Sequence, residues 1–358
     1  MKREVSLVDL LDARKVNYCV RSRHKKYLNG ERNFFPWSVE IHPTSKCNYE
    51  CSYCAYSVRN TSNSSIPPDA LKALWDVLTI NETKGVFFSG GGEPLLYTGL
   101  SDHVDYLDRA GIKVSLLTNG SLVANEKYSQ MLSSLDYIAI SIPSLNEEEF
   151  KKMTGRNMSA QLIDLPHLIR ANRRKVPIVG SRLVLCQENY KSAIETILKL
   201  KSSSYDYCIV KAPKDPEGRG LALEQEWLDF LKEEYSKNQE ELSEDFTNIK
   251  ALLEGPVKAR PEGETCWAIE YGINCFIHTD GSVYLCLCDM GKKEFSIGNI
   301  KEENFDDIWR GHRRTEVVQQ MNKRYQSMGC SGCRNVAYNN VIEKYPDSGF
   351  SKHMDPFL

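Results

Sequence analysis

Between Trp37 and Lys211, short apolar runs alternate with stretches of helical periodicity, and this alternation limits the possible folds more than any other feature of the chain. Trp37 to His42 alternates like a strand and is bounded by Pro36 and Pro43. Val86 to Phe88, Val114 to Leu117, Tyr137 to Ile142, Ile178 to Leu185 and Tyr207 to Lys211 read as further strands. Helical stretches separate them, at Pro68 to Thr79, Tyr97 to Ala110, Asn125 to Ser133, 147 to 152, 160 to 174 and Asn189 to Lys201. Parallel strands need crossovers of this kind, so the pattern predicts α/β architecture built on a parallel sheet. Counting alone does not separate an open six-stranded partial barrel from a doubly wound sheet.

The first strand runs into Cys47-Asn48-Tyr49-Glu50-Cys51-Ser52-Tyr53-Cys54, three thiols in eight residues. It leaves the C-terminal end of its strand, where barrel folds keep their chemistry. Three thiolates on one loop can be directed at one iron-sulfur cubane. The fourth iron then lacks a protein ligand, and an open position lets a metal centre take a substrate. A structural zinc site with His42 as fourth ligand is the alternative.

The spacing Cys-x3-Cys-x2-Cys with an aromatic before the last thiol resembles the signature of the radical S-adenosylmethionine (radical SAM) superfamily. The resemblance implies a partial (β/α)6 TIM-like barrel whose 4Fe-4S cluster, held by Cys47, Cys51 and Cys54, chelates the amino and carboxylate groups of SAM while Tyr53 packs near the adenine. Ser89-Gly90-Gly91-Gly92-Glu93-Pro94 follows the second strand; its glycines let backbone approach a ligand, and Glu93 can accept from an ammonium. This tract resembles the family's GGE motif, placed on Gly91, Gly92 and Glu93. Asn119 ends the third strand and Ser141 lies in the fourth, where related enzymes contact methionine and ribose groups. Arg182 in the fifth strand pairs with the SAM carboxylate or snorkels from the barrel.

Beyond the sixth strand, Ala212 to Gly220 is a loop by its proline and glycine content, making Lys211, Lys214, Asp215 and Arg219 candidates for touching substrate or for plain solvent exposure. Leu221 to Leu253 is acidic and helical, and Gly255-Pro256 with Pro261 to Gly263 marks a boundary. Ile273 to Cys288 then reads as a β-hairpin about Asp280-Gly281, and a two-residue turn there sets Cys275 opposite Cys286 with Cys288 on the same face. Asn304 to Met321 is a helix that returns the chain to Cys330 and Cys333. Cys266, Gly281, Cys286, Cys330 and Cys333 resemble the twitch domain, a shortened relative of the SPASM auxiliary-cluster domain. The resemblance implies one auxiliary 4Fe-4S cluster on Cys266, Cys286, Cys330 and Cys333; spacing alone equally permits a zinc knuckle. Cys275 and Cys288 are left as ligand substitutes or as donors of a hydrogen atom to a substrate radical. Cys19, Cys186 and Cys208 are assigned to packing.

The chain therefore divides into a leading helix and linker over 1–36, a radical SAM partial barrel over 37–254 and a small α+β auxiliary-cluster domain with a hairpin over 255–358. With 358 residues and 26% charged side chains it is an ordinary globular chain, and a net charge of -2 offers no broad attraction to nucleic acid or anionic membrane. No run of apolar residues is long enough to span a bilayer and none at the N-terminus suits a secretory signal, so the expected compartment is the cytoplasm, where clustered cysteines mean metal rather than disulfides. The resemblance implies an oxidoreductase or epimerase that takes its electron from a flavodoxin or ferredoxin and abstracts hydrogen from a small polar substrate of sugar or aminocyclitol type. A peptide in ribosomal natural-product biosynthesis is the second candidate substrate, and a non-catalytic electron-transfer protein is the alternative from another class.

Overall fold

The computed structural model describes residues 6–56, 63–158, 160–171, 175–214, 219–255, 265–328, 335–344, 349–350 and 356, the side chains of 160 and 325–328 excepted. Six strands follow one another in parallel: β1 Ser38–Ile41, β2 Gly85–Phe88, β3 Lys113–Thr118, β4 Tyr137–Ser141, β5 Ile178–Val184 and β6 Tyr207–Lys211. β7 Asn274–Ile277 joins the free edge of β1, also in parallel, with Ser38 beside Asn274 and Ile41 beside Ile277. β8 Ser282–Tyr284 and β9 Gly298–Asn299 complete the sheet antiparallel, giving the order β6-β5-β4-β3-β2-β1-β7-β8-β9. The sheet does not close on itself.

Its curvature is visible in one contact. The Arg182 guanidinium on β5 lies 5.3 Å from the Phe87 ring centroid on β2. Three strand spacings in a flat sheet would separate those strands by about 14 Å. The two side chains therefore meet across a concave side, and the doubly wound alternative is set aside in favour of an open barrel.

Alternation sorts the residues between the two faces. Val39, Ile41, Val86, Phe88, Val114, Leu116, Ile138 and Ile140 are buried on the convex side under the helices. Trp75 of helix Pro68–Ile80 packs edge-on against Phe88 there. That helix begins where Pro68 sits in the first turn, since its missing N–H costs nothing at that position. The concave side carries Glu40, His42, Phe87, Ser89, Ser141, Arg182, Asn274 and His278, much of it polar and buried. A polar interior is expensive unless it is paired, so this side is where ligands belong.

Several elements differ from the sequence expectation for identifiable reasons. The segment 125 to 133 forms two 3-10 turns, Glu126–Tyr128 and Met131–Ser133, instead of one helix. Within 160 to 174, the helix is confined to Leu165–Arg170, with Pro166 in its first turn, where proline is tolerated, and a separate 3-10 turn before it. The leading helical segment packs closely on the barrel: Leu7 and Leu10 pack with Tyr137, Ile178 and Tyr207 at the start of β4 to β6, while Val16, Cys19 and Val20 of helix Val16–Leu28 enter the main core. Arg23 of the same helix donates to the Gly272 carbonyl at 3.1 Å just ahead of β7.

The hairpin register is corrected by one residue. Phe276 pairs with Tyr284 and Ile277 with Val283, which extends to Cys275 against Leu285 rather than Cys286. The turn has three residues, Thr279 to Gly281: Gly281 N–H donates to His278 O at 2.8 Å, His278 N–H donates to Ser282 O at 2.9 Å, and Gly281 takes the left-handed φ of 88°. A three-residue loop of this form adds one residue to the count that Asp-Gly alone suggested.

Candidate active site

The thiol loop cannot satisfy its own backbone, and neighbouring elements do so instead. Helix Glu147–Thr154, capped by the Asn146 side chain, presents its last carbonyls to the loop: Glu50 N–H donates to Thr154 O and Ser52 N–H to Met153 O, both at 2.9 Å. Gly155 ends that helix at φ 70°, and Arg156 turns back to donate from Nε to Asn48 O at 2.7 Å and from Nη2 to the Glu50 carboxylate at 3.2 Å. Arg219 donates to Cys54 O at 2.8 Å and Ser52 O at 3.3 Å. Sequence reasoning missed Arg156 and placed Arg219 with the substrate candidates; both clamp the loop. The only signal was a glycine-arginine pair at a helix end.

Within the loop Cys47 is exposed, and Cys51 and Cys54 are half-buried. Burial pushes the Cys51 thiol up to about 12, a hydrogen bond with Tyr53 opposes this, and the Cys54 and Cys47 thiols add to it. The three sulfurs are therefore electrostatic neighbours. Among the described residues no three metal-type side chains converge on one point as a single ion would need. A cubane gives each thiolate its own iron, so thiols that are close without converging suit it better than zinc. His42, the fourth ligand of the zinc alternative, is turned away toward Glu40 and Ser89. Tyr53 and Cys51 also sit beside Cys186, just past β5, whose thiol burial pushes up to about 12 with Glu188 and Cys51 adding. Cys186 was assigned to packing; it borders the site.

The glycine tract closes on this loop. Glu93 N–H donates to Lys46 O at 2.8 Å, and a Cβ on Gly92 would stand 2.1 Å from that oxygen, so only glycine permits the approach. Gly91 lies beside it, buried. The Glu93 carboxylate is 3% exposed and accepts from Thr118 Oγ1 at 2.7 Å, Asn119 N–H at 2.7 Å and Leu95 N–H at 3.0 Å. Burial raises its pKa, and these hydrogen bonds oppose the rise. Two carboxylate oxygens can accept about four hydrogen bonds, so one direction remains for a ligand. The Asn119 side chain donates to Asn48 Oδ1 at 2.8 Å and accepts from the Ser121 hydroxyl at 2.7 Å, fastening the end of β3 to the thiol loop. Ser141 and Arg182 are register partners on the concave face of β4 and β5.

The second constellation is built around the end of β8. The Cys286 thiol, half-buried, is pushed well up, first by its hydrogen bond to the exposed Cys288 thiol and then by burial. Next to them Asp289 is buried and takes a two-pronged pair of 2.6 Å hydrogen bonds from Arg324 of helix His312–Met328, the helix that leads toward Cys330. Cys266 is buried with the Asn339 amide against its sulfur at 4.0 Å. Cys330, Cys333 and Asp215 fall outside the described residues. Cys275 does not join this group: it pairs with Val39 on the convex side and is wholly buried near Arg314. The patch of three thiols expected from the two-residue turn is thus a patch of two, Cys286 and Cys288.

Two family models match these same segments. The model of the radical SAM superfamily covers residues 41–200, and that of an iron-sulfur cluster-binding domain, SPASM, covers residues 266–334; together they span well over half of the chain. The chain belongs to the radical SAM superfamily. Its cofactors are accordingly 4Fe-4S clusters and S-adenosylmethionine. As a radical SAM protein it is 29% identical over 152 residues to an S-adenosylmethionine-dependent nucleotide dehydratase of Selenomonas ruminantium, a match covering 41% of this chain and 55% of that one. The chain thus spans only about half of that relative. A tungsten-containing aldehyde ferredoxin oxidoreductase cofactor-modifying protein of Pyrococcus furiosus is 23% identical over 316 residues, covering 81% of this chain and 85% of its own. The fold resembles that of Streptococcus suis SuiB bound to S-adenosylmethionine, with a TM-score of 0.63 at 16% identity over 93% of this chain and 80% of that one. It also resembles native anSMEcpe with bound AdoMet and Cp18Cys peptide, with a TM-score of 0.60 at 18% identity over 86% and 95%. No helix among the described residues is long and apolar enough to cross a membrane.

Proposed function

We propose that this radical SAM enzyme acts on a small polar molecule of sugar or aminocyclitol type, oxidising or epimerising it at one C–H position. The observation that carries the reading is the concave side of the barrel, where Glu40, His42, Ser89, Asn274 and His278 are buried polar side chains beside the cofactor residues. Glu40 and Ser89 pair with each other, but an apolar substrate would leave His42 Nδ1, Asn274 Nδ2 and the His278 ring nitrogens without partners. A cluster on Cys47, Cys51 and Cys54 with SAM beside it would supply radical hydrogen-abstraction chemistry to this side of the barrel.

The chain's own residues position that event. Cys47, Cys51 and Cys54 hold the cluster, and Gly91, Gly92 and Glu93 receive the SAM amino group. Tyr53, Asn119 and Ser141 border its adenine, methionine and ribose, and Arg182 faces its carboxylate. Cys266, Cys286, Cys330 and Cys333 hold an auxiliary cluster, and a flavodoxin or ferredoxin is the electron donor. Cys288, exposed beside Cys286, is the candidate hydrogen-atom donor; Cys275, walled off behind β7, is not. A peptide is the second reading, favoured by the fold shared with SuiB bound to precursor peptide SuiA.

Anaerobically reconstituted protein with dithionite and SAM is expected to form 5′-deoxyadenosine, and Cys51→Ala is not. Equal yields would remove the assignment. Consumption of an aminocyclitol or sugar by the reconstituted protein, with no change in a peptide panel, is the expected substrate result; the reverse selects the second reading.

A further inference from the structure

Two buried histidines stand between the thiol loop and the β7–β8 turn, and neither holds a cofactor in the account above. His42 lies just past β1 on the same face as Glu40 and is wholly buried. Its Nε2 stands 3.4 Å from Glu40 Oε1, the oxygen that also accepts the Ser89 hydroxyl at 2.8 Å. An ionised carboxylate only accepts, so the ring proton belongs on Nε2 and the lone pair on Nδ1. Nδ1 is buried and has no partner. Burial holds this imidazole below its usual range, opposed by the hydrogen bond with Glu40, which keeps it a neutral acceptor.

His278 repeats the arrangement from the other side. It is 8% exposed, and both of its ring nitrogens are buried without a hydrogen bond, Nδ1 standing 3.2 Å from Asp280 Oδ1 at ion-pair distance only. The two rings are 6.3 Å apart between centroids, and Tyr56 packs edge-on to His42 at 5.0 Å. A buried ring nitrogen without a hydrogen bond has given up water for nothing, and such nitrogens on two rings of one polar patch point to a ligand that pairs with both rings. Ser89, which completes the first pair, immediately precedes the glycine tract, so the patch adjoins the SAM residues.

We propose that Glu40–His42 and Asp280–His278 form a proton-transfer pair for substrates that carry a hydroxyl or amine on the carbon whose hydrogen is abstracted. This rests on the radical reading above and narrows its substrate to that class. His42 Nδ1 takes the proton of the substrate O–H or N–H group: that bond breaks, the heteroatom keeps the electron pair, an Nδ1–H bond forms, and no oxidant or reductant enters the step. An O–H or N–H group is too weak an acid for imidazole until the adjacent carbon carries the radical, so the proton leaves with or after the C–H hydrogen, and the charge it leaves on the heteroatom makes that radical more reducing. His278 passes the proton on, since Asp280 behind it has a side chain 54% exposed to solvent. A base placed in this way contributes on the order of 10²–10⁴-fold to a rate.

The test uses the cluster-loaded full chain labelled with ¹⁵N-histidine, with ethylene glycol as the smallest vicinal diol. NMR is expected to show His42 as the Nε2–H tautomer, His278 as the Nδ1–H tautomer, and a saturable shift of His42 Nδ1 on adding the diol that Glu40→Gln abolishes. Opposite tautomers, doubly protonated rings at neutral pH, or an Nδ1 signal indifferent to the diol would overturn the pair. 5′-Deoxyadenosine formation by the wild-type samples is read in parallel: its absence defeats the radical reading and leaves the histidine result standing on its own. With an alcohol that the enzyme consumes, turnover by His42→Gln is expected to fall on the order of 10²–10⁴-fold, and wild-type turnover would refute the role.

Discussion

Removing the Glu93 carboxylate tests whether the site is held together by this one side chain. Glu93→Ala strips the acceptor from the N–H groups of Asn119 and Leu95 and from the Thr118 hydroxyl, all in a region closed to water. The hydroxyl can rotate to another partner, but the two backbone donors cannot. Each unsatisfied buried donor costs about 1–3 kcal/mol, so the variant should lose about 2–6 kcal/mol of stability. Glu93→Gln keeps one acceptor oxygen and turns an NH₂ group toward the remaining donors, which predicts an intermediate loss of about 1–3 kcal/mol. Urea unfolding followed by circular dichroism reads both, with midpoints falling in the order wild type, Gln, Ala. The end of β3 should loosen with them, because Asn119 links Glu93 to Asn48 in the thiol loop. Unchanged midpoints in both variants would show that the carboxylate serves a ligand alone and that its three hydrogen bonds contribute nothing to the fold.

The other expectations follow from single contacts. Asp289→Asn removes one of the paired hydrogen bonds from Arg324 and the counter-charge of a half-buried guanidinium; a loss of about 2 kcal/mol is expected in thermal unfolding, and a variant as stable as wild type would contradict it. Cys275→Ala should leave SAM cleavage and product formation at wild-type levels, because its sulfur lies on the convex side; lost product would return it to the reaction. Burial alone would raise the Asp280 carboxyl from its ordinary 3.8, but the neighbouring His278 imidazole and the Ser282 N–H overcome it and pull the group down to about 2. A depressed carboxyl stabilises the fold above pH 3.8 and loses that contribution as the pH falls toward 2. Asp280→Asn should therefore flatten the pH dependence of unfolding in that window, and an unchanged profile would count against the His278–Asp280 pair.

The parts of this molecule legible in its sequence are those fixed by local chemistry. Proline at the start of helix Pro68–Ile80, alternation in β1 and the close glycines beside Lys46 each follow from what the backbone at that point permits. The thiol spacing belongs to the same kind, since a loop of eight residues allows few arrangements. Long-range partners left almost no trace. Nothing in Arg156 or Arg219 announces which carbonyls they will clamp, and Leu7 and Leu10 look like any weak amphipathic turn until the starts of β4 to β6 are there to cover. The hairpin failed by a single residue because Asp-Gly serves turns of two lengths, and Cys275 lost its expected place beside Cys286 and Cys288 in consequence. His42 reads as a metal ligand when its imidazole is taken alone, but Glu40, two residues earlier on the same face, gives its Nε2 a hydrogen-bond partner.

The pairing of β7 with β1 joins Ser38 to Asn274 across most of the chain. A ribosome releases the first strand early and its mate very late, so throughout synthesis β1 waits with one row of backbone donors and acceptors bare, beside thiols that are not yet enclosed. Such long-separation pairing slows folding and leaves a template to which other strands can attach. Newly made chains of this protein are thus most vulnerable to clumping and oxidation in the interval before the last quarter emerges, and cutting the gene short of β7 should yield aggregates instead of a free-standing barrel.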